Sequence, residues 1–405
     1  MIGARLKQAR LLAGMTQREL ARALCESGYK VTAAAISKYE KEKSFPTARF
    51  MLLASAVLGV PGSYLLHQPE TAVQWTAFRR QSGFGKKKQE AVMAYAADLA
   101  ELQIELHSVL YPDSPPDLPA PVKAQNFQDA EEIAKQVRAA WEVGNRPLDN
   151  LVQTAEDRGV IVIGWDDESG QFDGLSGWCG GNPVTVINAN RSADRKRFNL
   201  AREIGHLVMD TSYSGVDDES LAHRFAAALL VPAEHAFHEL GRERRHLDWG
   251  ELMMLKRKYG LSMAAWARRA RDLRIISERC YETLNIERSK LGWRTVEPIE
   301  YLGDEEPLRL KQMAQRAVAE GLVAPDRMTQ IGVDVWEPEF EQSDSEHLTV
   351  YDLLAMPEDE RRAVMERAFE LAAEEDFEIF EANEIFDDYD EDFDAETITK
   401  TADSA

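Results

Sequence analysis

The sequence predicts an α+β protein that is mainly helical, with an all-α head, a middle domain built around a small sheet, and an acidic, partly disordered C-terminal tail. Three observations carry this. Helix caps and three- and four-residue apolar spacing recur through residues 1–66 and again after Asp129. A β-branched run, Val160-Ile161-Val162-Ile163, is followed by two further strand-like stretches. Charge is uneven: the chain of 405 residues has 48 basic and 70 acidic side chains, and residues 334–405 hold 4 and 26 of them, which is the whole net charge of -22. The first 333 residues are formally neutral, and residues 1–66 within them carry 10 bases against 4 acids. Such asymmetry between the ends points to an electrostatic partner for each.

At roughly 100–200 residues per domain this length suggests two to four domains. Composition divides it at 1–66, 67–128 (linker and helix), 129–333 and 334–405. Cys25, Cys179 and Cys280 are too few and too scattered for a disulfide framework or a Cys-rich zinc site. No apolar run approaches the roughly 18 residues of a membrane span, and the start, Met1-Ile2-Gly3-Ala4-Arg5, lacks a secretory apolar region. A cytoplasmic protein with no membrane partner is expected.

In the head, Ile2, Leu6, Ala9 and Leu12 share one helical face that stops at Gly14. Thr16-Gln17-Arg18-Glu19 reads as a reciprocal capping box opening a second helix through Leu20 and Leu24. Gly28 turns the chain, and Thr32 caps a third helix, Ala33–Glu40, closed by the residues leading to Pro46. Two capped helices joined by a short turn describe a helix-turn-helix, whose second helix enters the major groove. Met15-Thr16-Gln17-Arg18-Glu19-Leu20-Ala21 and Ile36-Ser37-Lys38-Tyr39-Glu40 resemble the Xre, or lambda-repressor-like, family. The resemblance implies that Gln17 meets a phosphate, that Thr32, Ala34, Ser37 and Lys38 face base edges, and that Lys41 and Lys43 meet the backbone of a double-stranded operator. It also implies a homodimer reading two half-sites.

Gln81-Ser82-Gly83-Phe84-Gly85 makes a plausible hinge before a helix marked by Val92, Tyr95, Leu99 and Leu102, which ends before the proline-rich run Pro112–Pro121. Two helices then precede the Val160–Ile163 strand. Gly174–Trp178 and Val184–Asn188 are the further strands, separated by a Gly180-Gly181-Asn182-Pro183 turn, and a long helix begins near Arg195.

That helix carries Arg197-Phe198-Asn199-Leu200-Ala201-Arg202-Glu203-Ile204-Gly205-His206-Leu207, and the next carries Ala222-His223-Arg224-Phe225-Ala226. Both resemble the ImmA/IrrE-type metallopeptidases, a likeness that covers roughly residues 86–330 and implies a zincin-like middle domain. In that family the helix bears H-E-x-x-H, in which two imidazoles one turn apart hold zinc and the glutamate activates its water. Here Arg202 replaces the first histidine, and a permanently charged guanidinium is no zinc ligand. Two arrangements remain open. His206, Glu219 and His223 form a replacement zinc trio, with Glu203 catalytic if the site is active. Alternatively Arg202 stands electrostatically in the metal's place, paired with Glu219 or Glu203 in a pseudo-site that needs no cofactor; this second reading is adopted, and with it the expectation that the chain is not a working peptidase. His235, His238 and Glu239 match neither zincin spacing and read as an ordinary helix surface.

Leu308–Glu320 reads as a helix. In the tail, Pro357 can start a helix marked by Ala363, Val364, Ala368 and Leu371, after which Phe377, Phe380, Phe386, Tyr389 and Phe393 are threaded among acids. This resembles antitoxin tails that cover nuclease-type toxins, so a basic protein partner is expected; the protein's own head, or no specific partner, are the other readings. The combined expectation is a DNA-binding antitoxin with a degenerate peptidase domain. The rivals are an active zinc metallopeptidase that cleaves a repressor, and a ligand-sensing regulator with no toxin partner.

Overall fold

The computed structural model describes residues 2–66, 73–80, 84–111, 115–323 and 328, without the side chains of 63 and 77–80. The tail 334–405, its aromatic residues and the helix expected after Pro357 lie outside the described residues, as do 81–83 of the expected hinge.

The head is five helices, α1 (Ile2–Leu12), α2 (Gln17–Glu26), α3 (Ala33–Glu40), α4 (Ala48–Leu58) and α5 (Gly62–Leu66). Local chemistry sets their ends. The Thr16 hydroxyl accepts from Glu19 N while the Glu19 carboxylate accepts from Thr16 N, completing the capping box that opens α2. Thr32 caps α3 through Ala35 N, and Gly28, at φ +82°, supplies the left-handed residue of the turn between them. Leu6, Leu20, Leu24, Ile36, Phe50 and Leu58 close a small core. Glu40 ties the motif together, accepting from Arg10 Nε at 2.5 Å and from Gln17 Nε2 at 2.7 Å.

The segment read from sequence as linker and helix holds more than that. It contains a strand, β1 (Val73–Arg80), and the long helix α6 (Lys86–Leu110). After the short β2 (Val122–Lys123) come α7 (Phe127–Ala140) and α8 (Leu151–Asp157), then the expected strands β3 (Ile161–Trp165), β4 (Phe172–Cys179) and β5 (Asn182–Asn188). The sheet order is β1-β4-β5-β3, with β3 parallel to β5 and the other pairs antiparallel. Both faces are covered. Ile161, Ile163, Val184 and Val186 point to α6, while the alternate Val162 and Ile187 join the larger core, so the apolar runs are nearly continuous.

On that second face lie α9 (Ala193–Val208), which leads into the short β6 (Met209–Asp210), and α10 (Asp218–Leu230). Then follow α11 (Ala233–Leu240), α12 (Trp249–Tyr259), α13 (Met263–Asp272), α14 (Glu278–Lys290) and α15 (Arg309–Ala319). The segment between α14 and α15 is anchored by carboxylates set on helix N-termini. Glu297 accepts from Met263 N and Ala264 N, each at 3.0 Å, and Glu305, buried beside Arg197, accepts from Val152 N at 2.9 Å.

The head is docked rather than tethered. Arg5 on α1 is 2 % exposed and donates to both Glu101 oxygens on α6, at 2.6 and 2.7 Å. Tyr64 donates to Asp98 on the same helix at 3.0 Å. No described helix is long and apolar enough to cross a membrane. All three cysteines are free.

Candidate functional site

Two sites were expected. In the head, Thr32, Ala34, Lys38, Lys41 and Lys43 are exposed along α3 and the turn after it, and Ser37 is half-buried. Gln17 lies at the start of α2 with its amide held by Glu40. Thr32 has a second duty, because its hydroxyl is the α3 cap. Phe45, 81 % exposed beside this surface, was not singled out from sequence. An exposed aromatic has no sequence signal that distinguishes it from a core one.

In the middle domain α9 and α10 pack side by side and bring Arg202, Glu203, His206, Glu219 and His223 into one cluster. Arg202 is 2 % exposed and Glu203 fully buried, and Nη2 of the arginine donates to Glu203 Oε1 at 2.7 Å. The same guanidinium stands 3.9 Å, through Nε, from Glu219 Oε2. Glu203 fits here because its carboxyl lies over Gly174 on β4; a Cβ there would come within 2.8 Å of the carboxyl carbon. His206 Nδ1 lies 3.2 Å from Asp218 Oδ2, and Nε2 is 3.6 Å from Glu219 Oε1. Glu219 Oε2 lies 4.0 Å from His223 Nε2.

Burial works against a charge on His206, but the contact with Asp218 and the nearby carboxylates of Glu219 and Glu203 outweigh it and push its pKa up to about 9. Asp218 is correspondingly held low by its bond to His206. Asp218 was missed in the sequence reading. It sits in the first turn of α10, and only the packing of α10 on α9 makes it the histidine's partner.

The fit to zinc can be judged from these donors. Nε2 of His206 is buried and makes no hydrogen bond among the described residues, with Glu219 3.6 Å away, so this imidazole alone does not decide against a metal. Glu219, the carboxylate of the replacement trio, faces both His206 and the Arg202 guanidinium. Among the described residues no group of three or more His, Cys, Asp or Glu side chains has metal-binding geometry. The feature of the cluster that works against a zinc ion is the fixed Arg202 cation standing against Glu219. His235 and Glu239 on α11 serve packing instead: His235 Nδ1 is 3.3 Å from the Tyr259 hydroxyl, which donates to Glu239 at 2.8 Å.

Comparison with known families agrees with this division. Residues 6–65 match the family described as helix-turn-helix, and residues 155–271 match the IrrE N-terminal-like domain. The chain joins an Xre-type helix-turn-helix head to an ImmA/IrrE-like domain. No curated protein and no solved structure matches it.

Proposed function

We propose that this chain is a cytoplasmic DNA-binding transcription regulator, the antitoxin of a toxin-antitoxin pair, whose middle domain is a pseudo-metallopeptidase. The observation that carries the pseudo-enzyme reading is the buried Arg202 guanidinium touching Glu203 and facing Glu219. In a working site Glu203 activates a metal-bound water; here its charge is spent on an arginine one residue away. Two cations, Arg202 and protonated His206, face three carboxylates, Glu203, Asp218 and Glu219, so charge is nearly balanced without zinc. The head reads an operator as a homodimer through Thr32, Ala34, Ser37 and Lys38, with Lys41 and Lys43 on phosphates.

The antitoxin assignment rests on the sequence of residues 334–405, where 26 acids are interleaved with Phe377, Phe380, Phe386, Tyr389 and Phe393. Charge of that density suits the basic groove of a nuclease-type toxin, and the aromatics give it something to bury there. The test is co-expression with the product of an adjacent toxin gene. The full chain is expected to protect the cell and a chain ending at residue 333 is not; equal protection by both removes the tail's role. Elemental analysis that finds about one zinc per purified chain would overturn the pseudo-site. Arg202→His is the matching gain-of-function variant: zinc uptake with peptide cleavage by that variant alone would show a disabled peptidase restored.

A further inference from the structure

Beside the Arg202 cluster opens a cleft of about 600 Å³, and its charges are unevenly matched. Three of the bases that line it are already neutralised. Lys256 sits 3.1 Å from Asp194 and 2.9 Å from Glu297, Arg191 lies 3.8 Å from Asp173, and Arg202 is bound to Glu203. Three others, Arg195 on α9, Arg288 on α14 and Arg294 just after it, have no carboxylate partner among the described residues, and a fourth, Arg268 on α13, only shares one.

Arg195 reaches only a backbone carbonyl, that of Thr295, at 3.4 Å. Arg294 donates through Nε to the Ser289 hydroxyl at 2.7 Å. Arg268 lies 4.0 Å from Asp272, a carboxylate that Arg271 holds at 2.8 Å. Nε of Arg288 is buried without a hydrogen-bond partner. Against these four the lining offers one uncommitted carboxylate, that of the exposed Glu300.

Four guanidinium groups drawn from separate segments set like charges along one concavity; Arg195, Arg268 and Arg294 are exposed, so solvent screens their mutual repulsion and leaves them accessible to a ligand. Such an arrangement is stabilised by an anion that enters it. The planar fork of arginine matches phosphate oxygens two at a time, which a lysine cluster would not do. The N-terminus of α13 is filled by the chain's own Glu297, while that of α9, whose cap residue Ser192 makes no side-chain cap bond, also borders the cleft beside Arg195. Phe198 and Trp293 also line the cleft, and Trp293 is fixed edge-on against Trp249 with ring centroids 5.7 Å apart. A volume of this size is that of a small-molecule site, too confined for duplex DNA.

We propose that this cleft is an effector site for a phosphorylated small molecule of nucleotide size, whose phosphates lie among Arg195, Arg268, Arg288 and Arg294 and whose ring packs against Trp293. The inference builds on the reading of the neighbouring cluster as a site without metal. The two fail separately: zinc content tests that reading, and anion binding by arginine variants tests this one.

The experiment is isothermal titration of the full-length protein with ADP, pyrophosphate and inorganic phosphate, followed by tryptophan fluorescence. Wild type is expected to bind ADP more tightly than pyrophosphate and both more tightly than phosphate, with a fluorescence change that Trp293→Phe abolishes. Arg195→Gln combined with Arg288→Gln is expected to weaken ADP at least tenfold while the melting temperature of the unliganded protein holds or rises, because repulsion is relieved. If that double variant does not fold, Arg294→Gln on the exposed loop gives the same reading with a smaller loss. The proposal is overturned if none of the three anions binds at millimolar concentration, if the arginine variants bind ADP as well as wild type, or if phosphate alone binds as tightly as ADP.

Discussion

Arg202→Met removes the guanidinium at the centre of the middle-domain cluster and keeps most of its volume. The Glu203 carboxylate, fully buried and 2.7 Å from the lost nitrogen, is then left without its counter-ion. Breaking a buried pair from one side costs about 3–5 kcal/mol. At roughly 2–4 °C per kcal/mol for a domain of this size, the melting temperature should fall on the order of 10 °C at neutral pH. The double variant Arg202→Met/Glu203→Gln removes both charges, and it should recover most of that loss, since replacing both partners of a buried pair is often close to neutral. Urea or thermal unfolding of wild type, both single variants and the double variant closes the cycle. The reasoning fails if Arg202→Met costs under about 1 kcal/mol, or if the two single losses simply add in the double variant.

Three further outcomes are expected. Burial pushes Glu156 up to about 7 against the backbone bonds it accepts at the start of α15, so the folded state holds its proton more tightly than the unfolded chain does. Stability should therefore fall as pH rises from about 4.5 through about 7, by an amount of order 3 kcal/mol, and a Glu156→Gln variant should lack that slope in unfolding curves taken across this range. Gly174→Ala sets a methyl group into the pinned Glu203 carboxyl and should cost about 1–3 kcal/mol by thermal melting; no loss would mean that Glu203 lies elsewhere. Lys41→Ala and Lys43→Ala should each weaken every duplex alike and lower the salt slope of binding by about one, whereas Thr32→Ala should also cost about 1 kcal/mol of stability through its lost cap. Titrations at several salt concentrations separate these effects.

What the sequence revealed and what it hid follow one physical line. Thr16, Glu19, Gly28 and Thr32 act on residues within four positions of themselves, so the helices of the head could be read directly. The α9 motif was equally local, and the spacing of Arg202, Glu203 and His206 along one helix already placed the cluster. β1 was hidden because its partner, β4, lies about a hundred residues away, and a strand's identity is conferred by the neighbour it pairs with. Its apolar-polar alternation at Val73-Gln74-Trp75-Thr76 was the one available signal. Asp218 and the arginines of the cleft were hidden for the same reason: each is unremarkable on its own helix and acquires meaning only where helices meet.

The docking of α1 onto α6 has a mechanical consequence. α6 presents Asp98 and Glu101 to the head, Val92 and Ala96 to the sheet, and Leu102 and Leu106 to α15, so it is a beam shared by three bodies. The buried ion pair holds the reading head against this beam in one orientation. In the proposed dimer, two copies held this way would act as calipers of fixed span, accepting half-sites at one separation, and loosening the Arg5 bolt would trade that measurement for reach.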